Sequence, residues 1–184
     1  MNGAVVRGGG SAVDAGGDDV EETGKTFEEN ARLKASTYAQ RHKMWTVADD
    51  SGLEVDALGG FPGVLSARWA QVNDAGTGDA DNNALLLRQI RDVPDDRRTA
   101  RFVCVLALAR PDGRVIVTVR DAVEGRIIHE SRGTNGFGYD PLFLIESLDK
   151  TTAELPPDEK HRISHRGKAL RRLREAMTRL GVPA

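Results

Sequence analysis

Two adjacent carboxylates, a hydroxyl and a glycine (Asp49, Asp50, Ser51 and Gly52) follow a short apolar run at residues 45–48. The run predicts a β-strand, which would place the carboxylates at its C-terminal tip, where open α/β sheets gather ligands. Paired hard oxygens at such a tip suit Mg²⁺, which proteins hold with one or two carboxylates together with substrate phosphates. The alternative interpretation is a β-turn, because Asp, Ser and Gly are turn-forming residues.

Two other clusters could contribute to the same chemistry. The acidic pair Glu21 and Glu22 lies in a predicted loop, and a carboxylate near Asp50 would complete an oxygen site for a hard cation. Taken alone, such a pair is more often only solvated. Residues 135–140 place glycines on both sides of Phe137, so the backbone can approach a ligand while the ring offers a stacking surface. The alternative is a turn whose phenylalanine packs into the core.

A third cluster begins the last predicted helix. Ser164 can cap this helix, which places His165 and Arg166 in its first turn, beside free N–H groups and the positive end of the helix dipole. Basic residues there weaken a helix, and this local conflict indicates an anionic or electron-rich partner. The basic run at residues 160–174 could also be an ordinary solvated helix face.

A capped helix precedes the acidic strand. Thr26 and Glu29 fit a capping box, and the helix is expected to continue to about His42. Lys34 lies beside its apolar stripe, either reaching out to water or forming a buried ammonium that is directed at an anion. The helical period places four apolar side chains on one face: Phe27, Ala31, Ala35 and Tyr38.

The order of helices and strands predicts a single α/β domain with a mixed, twisted central sheet flanked by helices. Residues 73–81 are expected to form a mobile loop, and the last helix should end at Gly181. Its predicted apolar face consists of Leu170, Leu173, Met177 and Leu180. The other predicted elements are a helix at 82–92, strands at 100–109 and 114–119 that form a hairpin, and a strand at 125–129.

Composition excludes several classes of protein. The 184 residues suit one domain, and 26 basic against 28 acidic residues give a net charge of −2, which disfavours nucleic acid and anionic membranes as partners. Cys104 is the only cysteine, so a disulfide within the chain is excluded, and its apolar neighbours predict burial. Neither an apolar run of ~18 residues nor a secretory signal core is present, so we expect a cytoplasmic protein.

The motifs together resemble those of the inosine triphosphate pyrophosphatase family, over about residues 21–180. The resemblance implies Mg²⁺-dependent hydrolysis of ITP, dITP and XTP to the monophosphate and pyrophosphate, a two-lobed cleft and a homodimer. The matching segments, in family order, are residues 22–24, 26–31, 34–35, 48–53, 58–68, 136–141 and 164–167.

The resemblance also assigns roles to individual residues. Asp50 takes the position that serves the metal and the attacking water, and Glu22 the position of a metal-binding glutamate. Lys34 corresponds to a phosphate-binding lysine, with Asp49 and Ser51 supporting the same centre. Substrate contacts around the base are implied for Phe137, which stacks on the purine, and for Gly138, Tyr139, Asp140, Lys160, His165 and Arg166.

The start of the chain departs from the family pattern. Family members begin with a strand, a Ser/Thr-x-Asn-x-x-Lys loop that grips the triphosphate, and a helix. Residues 1–20 instead hold six glycines and are typical of a flexible linker. We therefore expect a flexible or atypical segment at 1–20, with the strand-loop-helix truncated or replaced, and a pyrophosphatase domain at 21–184. The alternative is a nucleotide-binding family member whose catalysis is impaired.

Overall fold

The computed structural model describes residues 20–182, together with the backbone of two short strands near the start of the chain. These strands, β1 (Val5–Val6) and β2 (Ala12–Val13), pair antiparallel with Val5 opposite Val13. Apart from these strands and Val20, the predicted linker at 1–20 lies outside the described residues.

The first helix, α1 (Phe27–His42), begins and ends as its sequence predicts. Thr26 Oγ1 accepts a hydrogen bond from the Glu29 N–H at 3.1 Å, and Glu29 Oε2 accepts one from the Thr26 N–H at 3.2 Å. Lys43 caps the C-terminus of the helix, with a left-handed backbone and an N–H that donates to the Ala39 carbonyl. The four predicted apolar residues are all buried, which confirms the predicted face.

The acidic strand is longer than its apolar residues predict. Strand β3 spans Thr46–Val55, so Asp49 and Asp50 lie inside the strand; the predicted C-terminal tip and the alternative β-turn are both wrong. Gly52 serves close packing, since a Cβ there would lie 2.4 Å from Ser66 Oγ. Pairing with a neighbouring strand outweighs the local turn preference of Asp, Ser and Gly.

Strand β3 forms one edge of a five-stranded sheet with the order β3-β4-β5-β6-β7. The predicted α/β class is confirmed, but the sheet is antiparallel where a mixed sheet was expected. The predicted hairpin is confirmed, while the strand expected at 125–129 is instead the continuation of β5. The remaining strands are β4 (Thr99–Ala109), β5 (Val115–Ile127), β6 (Phe143–Ile145) and β7 (Lys150–Thr151).

The described residues also form four further α-helices and four short 3-10 helices. The α-helices are α2 (Trp69–Val72), α3 (Asp79–Gln89), α4 (Pro157–Ile163) and α5 (His165–Arg179). Helix α4 was not predicted. The face predicted for α5 is wrong in part, because Leu170 and Leu180 are exposed and Leu173 packs with Ala169 and Met177 instead. None of the described helices is long and apolar enough to span a membrane.

Contacts within the chain form two compact units. The first unit comprises residues 1–51, 104–121 and 166–184, and the second comprises residues 52–103 and 122–165. Cys104 is fully buried in the core of the first unit, as predicted, and burial raises the pKa of its thiol to about 12. The core of the second unit is built around side chains such as Leu53, Phe102 and Phe143.

Candidate active site

A buried lysine joins two carboxylates in the first unit. Lys34 projects from α1 with only 4% of its surface exposed. Its Nζ donates hydrogen bonds to Glu22 Oε1 at 2.6 Å and to Asp50 Oδ1 at 3.1 Å. The interpretation of Lys34 as a buried ammonium directed at an anion is therefore confirmed, and the alternative of a side chain reaching out to water is wrong.

Two groups of this carboxylate–lysine centre, Lys34 and Asp50, have shifted pKa values. Burial alone would lower the pKa of Lys34, but the charges of Asp50 and Glu22 raise it above its ordinary value, so the ammonium stays charged. Burial raises the pKa of Asp50, the Lys34 charge opposes this shift, and the Glu22 charge adds to it. Two carboxylates against one ammonium leave negative charge in excess, which favours a further cation.

Asn30 is a member of this centre that the sequence analysis did not single out. Its Nδ2 donates to Asp50 Oδ2 at 3.2 Å, and its Oδ1 accepts from the Gly24 N–H at 2.8 Å. The residue is fully buried, so both ends of its amide are fixed. The sequence contained a signal for this role, because Asn30 is a polar residue of a motif segment and lies four positions before Lys34, on the same face of the helix. Asn30 thus connects the loop after Glu22 to Asp50.

Asp49 belongs to a different cluster from Asp50. Neighbouring side chains of a strand point to opposite faces, so Asp49 and Ser51 lie together, away from Asp50. Arg166 donates to Asp49 Oδ2 through Nε at 3.1 Å and Nη2 at 3.0 Å, and to Ser51 Oγ at 3.0 Å. The anionic partner expected for a basic residue in the first turn of α5 is thus Asp49.

The second unit holds a pocket that contains three of the residues predicted to contact the base. Asp140, Lys160 and His165 line it. The His165 ring stacks on Phe102, with ring centroids 5.1 Å apart and planes 19° apart. The other lining residues are Val123, Ile145, Thr152, Ile163 and Ser164. Apolar walls with a few polar groups are the usual composition of a small-molecule pocket.

Asp140 organises this pocket rather than presenting a free acceptor. Its Oδ2 accepts hydrogen bonds from the Phe137 N–H at 2.8 Å and from Lys160 Nζ, and its Oδ1 accepts one from Thr152 Oγ1 at 2.7 Å. A Cβ at Gly136 would lie 2.1 Å from Asp140 Oδ2, so only glycine fits there. The carboxylate therefore holds the turn and the ammonium of Lys160 in place.

Phe137 and Tyr139 have opposite environments. Phe137 is 50% exposed, so the alternative in which its ring packs into the core is wrong. Lys160 Nζ lies 5.3 Å from the centroid of this ring, a cation–π distance. Tyr139 is buried, and its hydroxyl donates to the Ser66 carbonyl at 2.9 Å. Burial, followed by the charge of Asp79, raises the pKa of Tyr139, so its hydroxyl remains protonated.

Sequence and structure comparisons decide the family. The model of the Ham1 family matches residues 9–176. The chain belongs to the Ham1 family. The dITP/XTP pyrophosphatase of Exiguobacterium sibiricum is 59% identical over 158 residues, covering 86% of this chain and 78% of the relative. The protein of the same name from Pseudomonas aeruginosa is 51% identical over 163 residues, covering 88% and 79%.

Solved structures agree with this membership in the Ham1 family. The structure of a HAM1 protein from Coxiella burnetii has a TM-score of 0.80 and 42% identity, covering 88% of this chain and 81% of that one. The Ham1 protein of Staphylococcus aureus has a TM-score of 0.79 and 43% identity, with the same coverage. The family resemblance drawn from the motifs is confirmed.

A candidate metal site in the described part of this Ham1-family chain consists of a pair of carboxylates. Among the residues described, His, Cys, Asp and Glu side chains nowhere form a group of three or more that could hold an ion. The predicted ligands Glu22 and Asp50 do converge, since both bind Lys34 Nζ. A pair of carboxylates fits Mg²⁺, which commonly takes its remaining ligands from substrate phosphates and water.

Proposed function

We propose that this Ham1-family protein hydrolyses non-standard purine nucleoside triphosphates, dITP and XTP among them, to the monophosphate and pyrophosphate. The observation that carries the proposal is the buried Lys34 between Glu22 and Asp50. Relatives that are 46–59% identical are named dITP/XTP pyrophosphatases, which supports the choice of substrate. An impaired, merely nucleotide-binding protein is not favoured, because the residues proposed to serve metal, water and phosphate lie together.

The reaction requires a water oxygen to attack the α-phosphorus while the bond to the bridging oxygen breaks and pyrophosphate leaves. Asp50 accepts the proton of this water. The ammonium of Lys34 has three N–H donors, of which two bind Glu22 and Asp50 in the described part of the chain. The third donor can bind a phosphate oxygen.

Neighbouring residues hold these groups in position. Asn30 fixes one oxygen of Asp50, and Glu22 and Asp50 would hold Mg²⁺. The ion, when bound, neutralises charge on the phosphates and on the leaving pyrophosphate. Arg166 fixes Asp49 and Ser51 on the opposite face of β3. The contact of Arg166 with the base, which the family resemblance implies, stays a prediction, as do the homodimer and the cytoplasmic location.

The pocket of the second unit suits a purine with an oxygen at position 6. Lys160 and His165 line it and can donate hydrogen bonds to that oxygen, and Phe137 offers an exposed ring for stacking. Adenine carries an amine at position 6, so these donors would face another donor. Unpaired buried polar groups lower affinity, which favours the 6-oxo purines.

The proposed activity is tested by following pyrophosphate and monophosphate release from dITP, XTP and dATP, with Mg²⁺ and with a chelator. We expect equal amounts of the two products from dITP and XTP, lost on chelation, and a kcat/KM for dATP lower by about two orders of magnitude or more. Release of orthophosphate and diphosphate would contradict the proposed reaction. Similar kcat/KM values for dITP and dATP would contradict the proposed selectivity.

Lys160→Met should weaken base selection more than it slows the reaction. The variant keeps an apolar stem but loses a charged donor, worth about 1.5–3 kcal/mol. The preference for dITP over dATP, measured as the ratio of kcat/KM values, should therefore fall by about one to two orders of magnitude. Lys150→Met is the matched control, because it replaces an exposed lysine of the same unit. An unchanged ratio in Lys160→Met would place the base elsewhere.

A further inference from the structure

Both backbone polar groups of Gly138 are held by side chains from one turn of α3. The Gly138 N–H donates to Asp79 Oδ2 at 2.6 Å, and Asn83 Nδ2 donates to the Gly138 carbonyl at 2.9 Å. Asp79 and Asn83 are four residues apart on α3, so they share one face of the helix. They precede Gly138 by 59 and 55 residues in the chain, so this clamp is a tertiary contact.

Two observations indicate that the clamp does more than fill space. Asn83 Oδ1 is buried without a hydrogen-bond partner among the described residues, so half of the amide that binds Gly138 is unsatisfied. Gly138 itself has a φ of 60°, the left-handed region that favours glycine. Because its N–H and its carbonyl are both hydrogen-bonded, Gly138 keeps the backbone in this one conformation.

The residue whose position this backbone sets is Phe137. Its ring is half exposed with the Lys160 ammonium 5.3 Å from its centroid, and its own N–H is fixed by Asp140. The next residue beyond the clamp, Tyr139, is fixed through its hydroxyl. The backbone that carries the Phe137 ring is therefore fixed on both sides, by Asp140 at the Phe137 N–H and by the clamp at Gly138.

We propose that Asp79 and Asn83 are positioning residues that hold Phe137 in place to stack on the purine base. The inference rests on the proposed function, because stacking on a base is part of it. Neither residue takes part in the carboxylate–lysine centre, so the clamp should act on substrate binding and leave the chemical step unchanged. A loss of binding that is equal in the ground state and the transition state raises KM while kcat stays constant.

The first measurement is the KM and kcat for dITP of Asp79→Ala and Asn83→Asp. Asp79→Ala removes the acceptor of the Gly138 N–H, and Asn83→Asp directs a carboxylate at the Gly138 carbonyl with almost no change of shape. Each should raise KM about tenfold, with kcat within about twofold of the unchanged protein. Asp79→Asn should restore a KM near that of the unchanged protein, because its amide oxygen still accepts the Gly138 N–H.

Asp81→Ala is the matched control. Asp81 lies in the same first turn of α3, and its Oδ2 accepts a backbone N–H at 2.7 Å, but from Thr77 instead of Gly138. This variant should lower the melting temperature about as much as Asp79→Ala and leave KM unchanged. If Asp81→Ala raised KM equally, the effect would be one of helix stability, and the proposed clamp would be wrong.

The decisive measurement places Asp79→Ala in a Phe137→Ala background. If Asp79 acts through the ring, removing the ring first should leave Asp79→Ala with almost no further effect on KM. An equal rise of KM in both backgrounds would overturn the proposal, as would an unchanged KM in Asp79→Ala and Asn83→Asp. Failure of the proposed function itself would give a different result, because the unchanged protein would then release no pyrophosphate from dITP.

Discussion

Asp50→Asn is expected to remove nearly all hydrolysis of dITP and to leave the protein folded. The substitution is close to isosteric, but it removes the proposed base for the attacking water and the charge that would hold the metal. Loss of general-base catalysis alone accounts for a factor of about 10²–10⁴ in rate. The measurement is kcat/KM for dITP at saturating Mg²⁺, with circular dichroism to verify the fold.

Asp49→Asn is the matched control for this prediction. It makes the same chemical change at the adjacent position, but on the face of β3 where the carboxylate binds Arg166. Its loss of activity should be clearly smaller, because Asp49 has only a supporting role in the proposed reaction. Most activity surviving in Asp50→Asn, or equal losses in the two variants, would show that Asp50 is not the base.

Among the variants proposed for this protein, Lys34→Met should cause the largest decrease in the free energy of unfolding. The ammonium is the cation that separates Glu22 and Asp50, whose side chains are 24% and 11% exposed, so its removal leaves two carboxylates close together and partly desolvated. Removing one partner of a buried ion pair typically costs about 3–5 kcal/mol. Urea denaturation at neutral pH should report a decrease of this order in the free energy of unfolding.

The stability deficit of Lys34→Met should depend on pH. Burial already holds the pKa of Asp50 above its unfolded value, and without the Lys34 charge it rises further. A carboxyl group with a raised folded pKa favours the folded state at low pH and loses this contribution as pH rises through that pKa. The deficit should therefore be smaller at about pH 5 than at about pH 8. Lys25→Met, at an exposed lysine, should show no deficit at either pH.

The sequence by itself determined the features that depend on neighbouring residues. The capping box at Thr26 and the apolar face of α1 follow from contacts three or four residues apart, so they could be predicted without the fold. The hairpin between β4 and β5 follows from its turn residues. The motif order was enough to identify the family, because several short motifs in one order rarely match by chance.

Only the tertiary structure decided how the acidic and aromatic motifs divide their work. Asp49 and Asp50 are adjacent in the chain, but pairing inside the sheet extends β3 through them and sends their side chains to opposite faces. Asn30 joins the carboxylate–lysine centre from twenty residues away. The turn propensity of Asp, Ser and Gly is a local preference that stabilises the chain less than a row of sheet hydrogen bonds does. It therefore could not predict that Asp49 and Asp50 lie on opposite faces of a strand.

The segment around Phe137 shows the same limit. Its composition is consistent with a ligand loop or a core turn, and the structure contains parts of both, with Phe137 exposed and Tyr139 buried. Gly138 lies between these two residues, and it is held by the clamp from α3, whose side chains lie more than fifty residues earlier in the chain. Contacts between residues so far apart in the sequence form only once hydrophobic burial has brought the helix and the loop together. No local sequence pattern encodes them.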